Sequence, residues 1–277
     1  MKTIERFKLD IWPQPEIIRI RKPVLLAHGL GAVGSMVKKS LLHDECMLYR
    51  EHGICAYAPN VVPYTNIEIR AKAWAKIVDQ ILKETGADSI HVIAHSMGGL
   101  DFRHLITNLG YHDRIFSLTT LATPHRGTSL PDLFLTAPDI IKKASIDLIN
   151  WFGNSIFPTE ESNLMGALKE LRPEYIINTF NPQTPDHPDV TYQSVTASCG
   201  KGTTHSIPKL LIPFNNFIHE KDGINDGYVP QESMRYGKEI FSTTLSHSSQ
   251  IKLDLSPKLK PRWKELWLNI ARAIPGD

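Results

Sequence analysis

The chain has 277 residues, a formal net charge of +2 and 42% hydrophobic residues. A chain of this length can bury one large core, so we expect a single domain over residues 1–277. The near-neutral charge, without a lysine- or arginine-rich run, argues against a nucleic-acid partner, and no apolar stretch is long enough to predict a transmembrane segment.

Short apolar segments alternate with helical ones along the chain. Predicted strands lie at residues 24–28, 54–58, 89–94, 117–123 and 190–196. Between the second and third of these, residues 67–85 predict a helix that ends at Gly86. Its periodic apolar positions are Ile69, Ala73, Ile77, Ile81 and Leu82. Strands alternating with helices predict an α/β fold whose mostly parallel sheet has helices on both faces.

The first predicted strand leads into a His28-Gly29 turn, where free backbone N–H groups can bind an anion. Residues 29–34 also match the G-x-G-x-x-G pattern of dinucleotide-binding proteins. Such a site needs an acidic residue at the end of the second strand to hold the ribose. Residues 59–63 instead read Pro-Asn-Val-Val-Pro, so we reject a nucleotide site.

A serine between small residues follows the third predicted strand. Residues 94–99 read Ala-His-Ser-Met-Gly-Gly, which places Ser96 between Ala94 and Gly98. This is the form of a nucleophile elbow, G-x-S-x-G, with alanine in place of the first glycine. The alternative is that Ser96 only caps the start of a helix.

An acid and a histidine follow in the order required by such a serine. Asp226 lies in the segment Asn-Asp-Gly-Tyr-Val-Pro at residues 225–230, and His247 is the only histidine after it. The order Ser, Asp, His is typical of α/β-hydrolases. Asp222 is the competing acid, and Asp226 could also serve only as part of an Asp-Gly turn.

Four segments together carry a family resemblance. They are residues 24–30, residues 94–99, residues 121–128 (Leu-Ala-Thr-Pro-His-Arg-Gly-Thr), and residues 225–230 with His247. On these segments the chain resembles the bacterial triacylglycerol lipases of the true-lipase type, within the α/β-hydrolase superfamily.

The resemblance implies an α/β-hydrolase fold and a carboxylester hydrolase, a lipase or esterase acting on acyl glycerols through an acyl-enzyme. Ser96 would be the nucleophile, His247 the base, and Asp226 the acid that orients it. The backbone N–H groups of Leu30 and Met97 would form the oxyanion hole. The resemblance gives His28 and His95 structural roles in the two turns, and it gives His125 a supporting role.

Residues 129–166 form an apolar insertion that proline and glycine divide into short pieces. The resemblance implies a helical cap or lid here, which would bind acyl chains and make transient contact with a lipid surface. The candidate substrate-binding residues are Phe134, Ile141, Leu148 and Trp151. The alternative is a fixed cap that only completes the core.

The same triad would also serve a thioesterase, phospholipase or acyltransferase, and a decayed site would leave an inactive lipid-binding protein. Many relatives bind calcium through an aspartate soon after the histidine. Here Ser248 and Ser249 follow His247, so we predict no calcium site and no other cofactor.

The N-terminus lacks the apolar run of a signal peptide, which favours a cytoplasmic protein as the sequence is written. A leader missing from this sequence would instead make the protein secreted. Cys46, Cys55 and Cys199 have neither a disulfide pattern nor metal-site spacing, so we predict buried, reduced thiols.

Overall fold

The computed structural model describes residues 14–30, 40–62, 64–135, 163–253 and 259–276. Within them, parallel strands form one six-stranded sheet in the spatial order β2-β1-β3-β4-β5-β6. This sheet confirms the predicted α/β class. The strands are β1 (Val24–Ala27), β2 (Ala56–Tyr57), β3 (Ile90–His95), β4 (Ile115–Leu121), β5 (Thr191–Ala197) and β6 (Lys238–Thr243).

The helices connect these strands and cover the sheet. They are α1 (His43–Glu51), α2 (Ile67–Thr85), α3 (Gly98–Asn108), α4 (Leu130–Leu135), α5 (Leu164–Glu170), α6 (Pro173–Tyr175), α7 (Asn181–Gln183), α8 (Ile212–Asp222), α9 (Gln231–Met234), α10 (His247–Gln250) and α11 (Lys260–Arg272). A π-helical segment, Ile176–Phe180, joins α6 to α7. None of the helices in the described ranges is long and apolar enough to cross a membrane.

Side chains of successive strand residues enter opposite layers of the core, as expected for a sheet covered on both faces. In β1, Leu26 packs in the cluster that contains Trp267 of α11, whereas Leu25 packs in the cluster that contains Trp74 of α2. Helix α11 thus covers one face of the sheet. Its buried residues include Trp263, Leu266, Trp267 and Ile270.

Helix α2 has the predicted bounds because both of its ends are fixed locally. The side chain of Asn66 accepts a hydrogen bond from the backbone N–H of Ile69, and Gly86 ends the helix at a φ of 70°. Among the predicted apolar positions, Ile81 is buried and three others pack against the core, but the prediction was wrong at Ile69, which is 40% exposed. The face that packs inward consists of Ile67, Arg70, Ala71, Trp74, Val78 and Ile81.

The prediction for the cysteines was also wrong at one position. All three thiols are free, and Cys46 and Cys199 are buried, but Cys55 is exposed. Cys55 directly precedes β2, which lies at the edge of the sheet, so one side of this segment faces solvent.

The order of the strands places two turns side by side. The chain runs from β1 outward to β2 and then returns to the other side of β1 as β3, where Ala27 pairs with Ala94. At such a reversal the connections leave the carboxyl ends of neighbouring strands in opposite directions and open a crevice. The His28-Gly29 turn and Ser96 both lie at this point of the sheet.

A buried ion pair joins helices α2 and α3 near this crevice. The Nε atom of Arg70 lies 2.8 Å from Oδ2 of Asp101, and both side chains are fully buried. The guanidinium also donates to the carbonyl oxygens of Val62 and His28 at 2.7 and 2.6 Å, while the indole of Trp74 donates to Asp101 at 3.1 Å. Helices α2 and α3 are thus joined to the turn that follows β1.

Replacing Arg70 alone should lower the free energy of unfolding more than replacing Arg70 and Asp101 together. We expect Arg70→Met to lower the free energy of unfolding by about 3–5 kcal/mol, because it leaves the carboxylate of Asp101 buried without a cation. The double variant Arg70→Met/Asp101→Leu should recover a large part of this loss. Urea denaturation at neutral pH measures both values.

The exposed pair of Arg114 and Asp79 provides the matched control. Arg114→Met should cost less than about 1 kcal/mol, since water solvates the carboxylate that remains. Equal losses for Arg70→Met and Arg114→Met would contradict the role given to the buried pair.

Candidate active site

Ser96 occupies the sharp turn between β3 and α3. Its φ of 58° lies in the left-handed region, which a residue with a side chain adopts only when its surroundings require it. The N–H of Ser96 donates to the carbonyl of Leu121 at 2.9 Å, and its carbonyl accepts from the hydroxyl of Thr123 at 2.7 Å. The end of β4 and the loop after it therefore hold the strained serine from both sides.

Small residues are needed around this turn because the backbone segments are nearly in contact. A Cβ atom added to Gly98 would lie 2.9 Å from the carbonyl oxygen of His28, and one added to Gly29 would lie 2.6 Å from Cβ of Ser96. Any larger residue would force the two turns apart. This packing explains the small residues of the elbow pattern.

The structure brings the three predicted side chains into one hydrogen-bonded line. The Nε2 atom of His247 lies 2.9 Å from Oγ of Ser96, and its Nδ1 atom lies 2.7 Å from Oδ2 of Asp226. His247 begins α10, and its backbone N–H donates to the carbonyl of Asp226 at 3.0 Å. Backbone and side chain thus align the imidazole with the same aspartate.

Asp226 is fully buried, and both of its carboxylate oxygens are hydrogen-bonded. Oδ1 accepts from the backbone N–H groups of Tyr228 and Val229 at 3.1 and 2.9 Å. Oδ2 accepts from Nε2 of Gln250 at 3.0 Å, in addition to its bond with His247. These donors fix the orientation of the carboxylate.

The competing acid lies elsewhere. Oδ2 of Asp222 accepts from the backbone N–H of Ser129 at 2.9 Å, so this carboxylate joins the end of α8 to the segment just before α4. Asp222 is thus engaged by the first residues of the predicted cap, whereas Asp226 faces the histidine.

The predicted oxyanion donors lie on the two abutting turns. A Cβ atom added to Gly29 would lie 2.8 Å from the backbone nitrogen of Met97, which shows how closely the turns approach. Within the described ranges, the N–H groups of Leu30 and Met97 make no backbone or side-chain hydrogen bond.

The ring of His28 shapes the first turn and carries no positive charge at neutral pH. Its Nε2 atom accepts from the backbone N–H of Val61 at 3.1 Å, so Nδ1 carries the proton and donates to the carbonyl of Gly29 at 2.9 Å. Burial, with a smaller contribution from the positive charge of Arg70, lowers the pKa of His28 to about 3.

Two further histidines are buried around the site. Burial and the neighbouring His247 lower the pKa of His95 well below its ordinary value, and burial lowers the pKa of His125 in the same way. His125 stacks on Tyr236 with ring centroids 4.1 Å apart, and its Nε2 atom lies 3.1 Å from the hydroxyl oxygen of Thr120. Both histidines therefore belong to the buried surroundings of the site.

The predicted substrate-binding residues are beyond what the structure describes. Ile141, Leu148 and Trp151 lie outside the described residues, as does the side chain of Phe134. The described ends of the 129–166 segment are helical, with α4 at one end and the first residues of α5 at the other. The predictions for the cap and for its four apolar side chains therefore remain predictions.

No group of three or more histidine, cysteine, aspartate or glutamate side chains suited to a metal is present among the described residues. At the position where calcium-binding relatives would be expected to offer an acid, Oγ of Ser249 lies 2.6 Å from Oγ of Ser246. Ser246 is the N-cap of α10, and its side chain accepts from the backbone N–H of Ser249.

Comparison with known proteins connects this geometry to a family. Residues 54–239 match the family described as "Putative serine esterase (DUF676)". The chain is 29% identical over 226 residues to "Triacylglycerol lipase 2" of Saccharomyces cerevisiae, which covers 77% of this chain and 62% of the relative. It is 29% identical over 164 residues to "Triacylglycerol lipase" of Pseudarthrobacter phenanthrenivorans, covering 55% of this chain and 50% of that protein.

Among solved structures, the chain is similar to the lipase of Staphylococcus hyicus. The TM-score is 0.71 at 18% identity, with 94% of this chain and 96% of the other covered. This similarity confirms the α/β-hydrolase fold expected from the sequence. The curated relatives are longer, since this chain spans 50–62% of the length of the two named above.

Proposed function

The chain belongs to the DUF676 serine esterase family, and from that premise we propose that it is a carboxylester hydrolase, a lipase or esterase, with Ser96, His247 and Asp226 as its catalytic triad. The observation that carries this proposal is the continuous line of contacts from Oγ of Ser96 through His247 to Asp226. A serine hydroxyl needs such a base to become a nucleophile at neutral pH.

In the proposed reaction, Oγ of Ser96 attacks the carbonyl carbon of an ester while Nε2 of His247 accepts the hydroxyl proton. Asp226 holds the imidazole in the required tautomer and stabilises its cation. The negative charge on the tetrahedral oxygen would be bound by the N–H groups of Leu30 and Met97, because they belong to turns already packed together.

Collapse of this intermediate releases the alcohol, which takes the proton from His247 and leaves an acyl group on Ser96. Water then attacks the acyl-enzyme, with His247 as the base for the second time, and the carboxylic acid leaves. The overall reaction is ester plus water to acid plus alcohol.

Acyl glycerols are the substrates we propose. Two relatives bear the name triacylglycerol lipase, and the 129–166 segment supplies large apolar side chains after the loop that contacts Ser96. We propose that this segment is a cap that binds the acyl chain and makes transient contact with a lipid surface.

Replacing the nucleophile tests the proposed function directly. Ser96→Ala should lower kcat for p-nitrophenyl ester hydrolysis by a factor of about 10⁴ or more, because no other group can form the acyl-enzyme. The wild-type protein should react with a fluorophosphonate at Ser96, and the variant should not. Folded Ser96→Ala protein that keeps more than a tenth of the activity would refute the proposal, as would wild-type protein with neither labelling nor hydrolysis of esters, thioesters or phospholipids.

The two aspartates provide a matched comparison. Asp226→Asn should lower kcat by about 10⁴-fold, because the amide cannot stabilise the imidazolium form of His247. Asp222→Asn keeps an amide oxygen that can accept from the N–H of Ser129, and this residue does not contact His247, so kcat should change little. Steady-state kinetics and thermal denaturation of both variants measure this difference, and the reverse order of damage in kcat would show that the acid is wrongly assigned.

The proposed cap should control the preference for acyl length. Each methylene buried against it would add roughly 0.8 kcal/mol, so kcat/KM for octanoate should exceed that for acetate at least tenfold. Replacing Phe134, Ile141, Leu148 or Trp151 by serine should lower that ratio, whereas Ile177→Ser, at a 51% exposed position in the π-helical segment, should not. Unaltered ratios in all four folded variants would assign specificity to another part of the protein.

A further inference from the structure

We infer that Gln250 is a positioning residue of the proposed triad, which holds the carboxylate of Asp226 with one end of its amide and the ring of His95 with the other. This inference rests on the proposed function of the triad. Gln250 belongs to no motif in the sequence, and its role follows from five contacts of its fully buried side chain and its backbone.

The orientation of the amide is fixed by chemistry at both ends. Its Nε2 atom lies 3.0 Å from Oδ2 of Asp226, and a carboxylate oxygen can only accept, so this end must be the NH₂ group. The same group donates to the carbonyl of Leu245 at 3.2 Å. Oε1 therefore faces Nε2 of His95, 3.1 Å away, which must donate to it.

This arrangement acts on the atom that contacts the proposed base. Oδ2 of Asp226 accepts from both His247 and Gln250, while Oδ1 is occupied by two backbone N–H groups. Because two donors bind each of its oxygens, the carboxylate of Asp226 cannot rotate away from Nδ1 of His247. Gln250 is the side chain that supplies this last constraint.

The carbonyl end of the Gln250 amide contacts the ring of His95. The ring centroids of His95 and His247 are 4.5 Å apart, so a proton on His95 would repel the cation that His247 forms during catalysis. The carbonyl oxygen of Gln250 accepts from His95 without adding a charge. The titratable groups described around His247 are Asp226, His95 and Tyr228, whose ring is edge-on at 5.2 Å.

The backbone of Gln250 is anchored independently of its side chain. Its N–H donates to the carbonyl of Ser246 at 3.0 Å, and its carbonyl accepts from the indole of Trp267 at 2.8 Å. Because Trp267 belongs to α11 and is fully buried, this helix fixes the backbone of Gln250. Substitutions that alter only the side-chain amide leave this anchor in place.

Two substitutions separate positioning from packing. Gln250→Glu keeps the shape and the acceptor for His95, and its carboxyl group keeps a proton, because two buried carboxylates about 3 Å apart cannot both ionise. That proton is donated to Oδ2 of Asp226, so kcat of Gln250→Glu should stay within about threefold of the wild-type value. Gln250→Met removes donor and acceptor, and it should lower kcat about tenfold with little change in KM, because the carboxylate loses one donor.

Gln193 in β5 is the matched control, a buried glutamine whose amide oxygen accepts from the hydroxyl of Thr119 at 3.3 Å. Gln193→Met should leave kcat unchanged, whatever its effect on melting temperature. An equal loss of kcat in folded Gln250→Glu and in folded Gln250→Met would overturn the inference. So would an unchanged kcat in Gln250→Met.

A spectroscopic readout keeps this test separate from the proposed activity. The proton between Nδ1 of His247 and Asp226 should give a downfield NMR resonance that Gln250→Glu keeps and that shifts upfield in Gln250→Met. A protein without any esterase activity but with this shift would refute the proposed function and support the positioning role. Active protein without the shift would do the reverse.

Discussion

The buried pairing of Arg70 with Asp101 is the constraint on which the geometry of the site depends. Burial raises the pKa of Asp101 to about 6, although Arg70 and Trp74 both lower it, which shows how strongly the interior opposes a bare carboxylate. The guanidinium binds Oδ2 of that carboxylate and at the same time donates to the carbonyl of His28. Helix α3, which begins just after Ser96, is thereby tied to the turn that carries Leu30.

Features set by local sequence could be predicted from that sequence alone. Asn66 and Gly86 determine the ends of α2 through a side-chain cap and a left-handed residue, and both signals are visible in the chain. The small residues around Ser96 likewise reflect contacts between segments that every elbow of this kind must make. Asp226 and His247 could be chosen by their order and local motif, and the structure brings both to Ser96.

Features set by tertiary contacts could not be predicted. The buried face of α2 includes a charged residue, Arg70, which the apolar spacing does not mark, and its partner on α3 explains that burial. Gln250 belongs to no motif. Its proposed role depends on its hydrogen bonds to His95 and Asp226, two residues that are far apart in the chain. β4 ends at Leu121, two residues before its predicted end, because Ala122 adopts a φ of 52°.

The buried histidines make folding a proton-linked equilibrium. The folded-state pKa values of His28, His95 and His125 lie below 6.5, so the unfolded chain binds protons that the folded chain excludes. The stability that depends on them is present above pH 6.5 and is lost as the pH falls towards the folded values, by about 1.4 kcal/mol per pH unit for each residue. Asp101 acts in the opposite sense, since the folded chain keeps its proton up to about pH 6. Acid would therefore act on this protein as a ligand of its unfolded state.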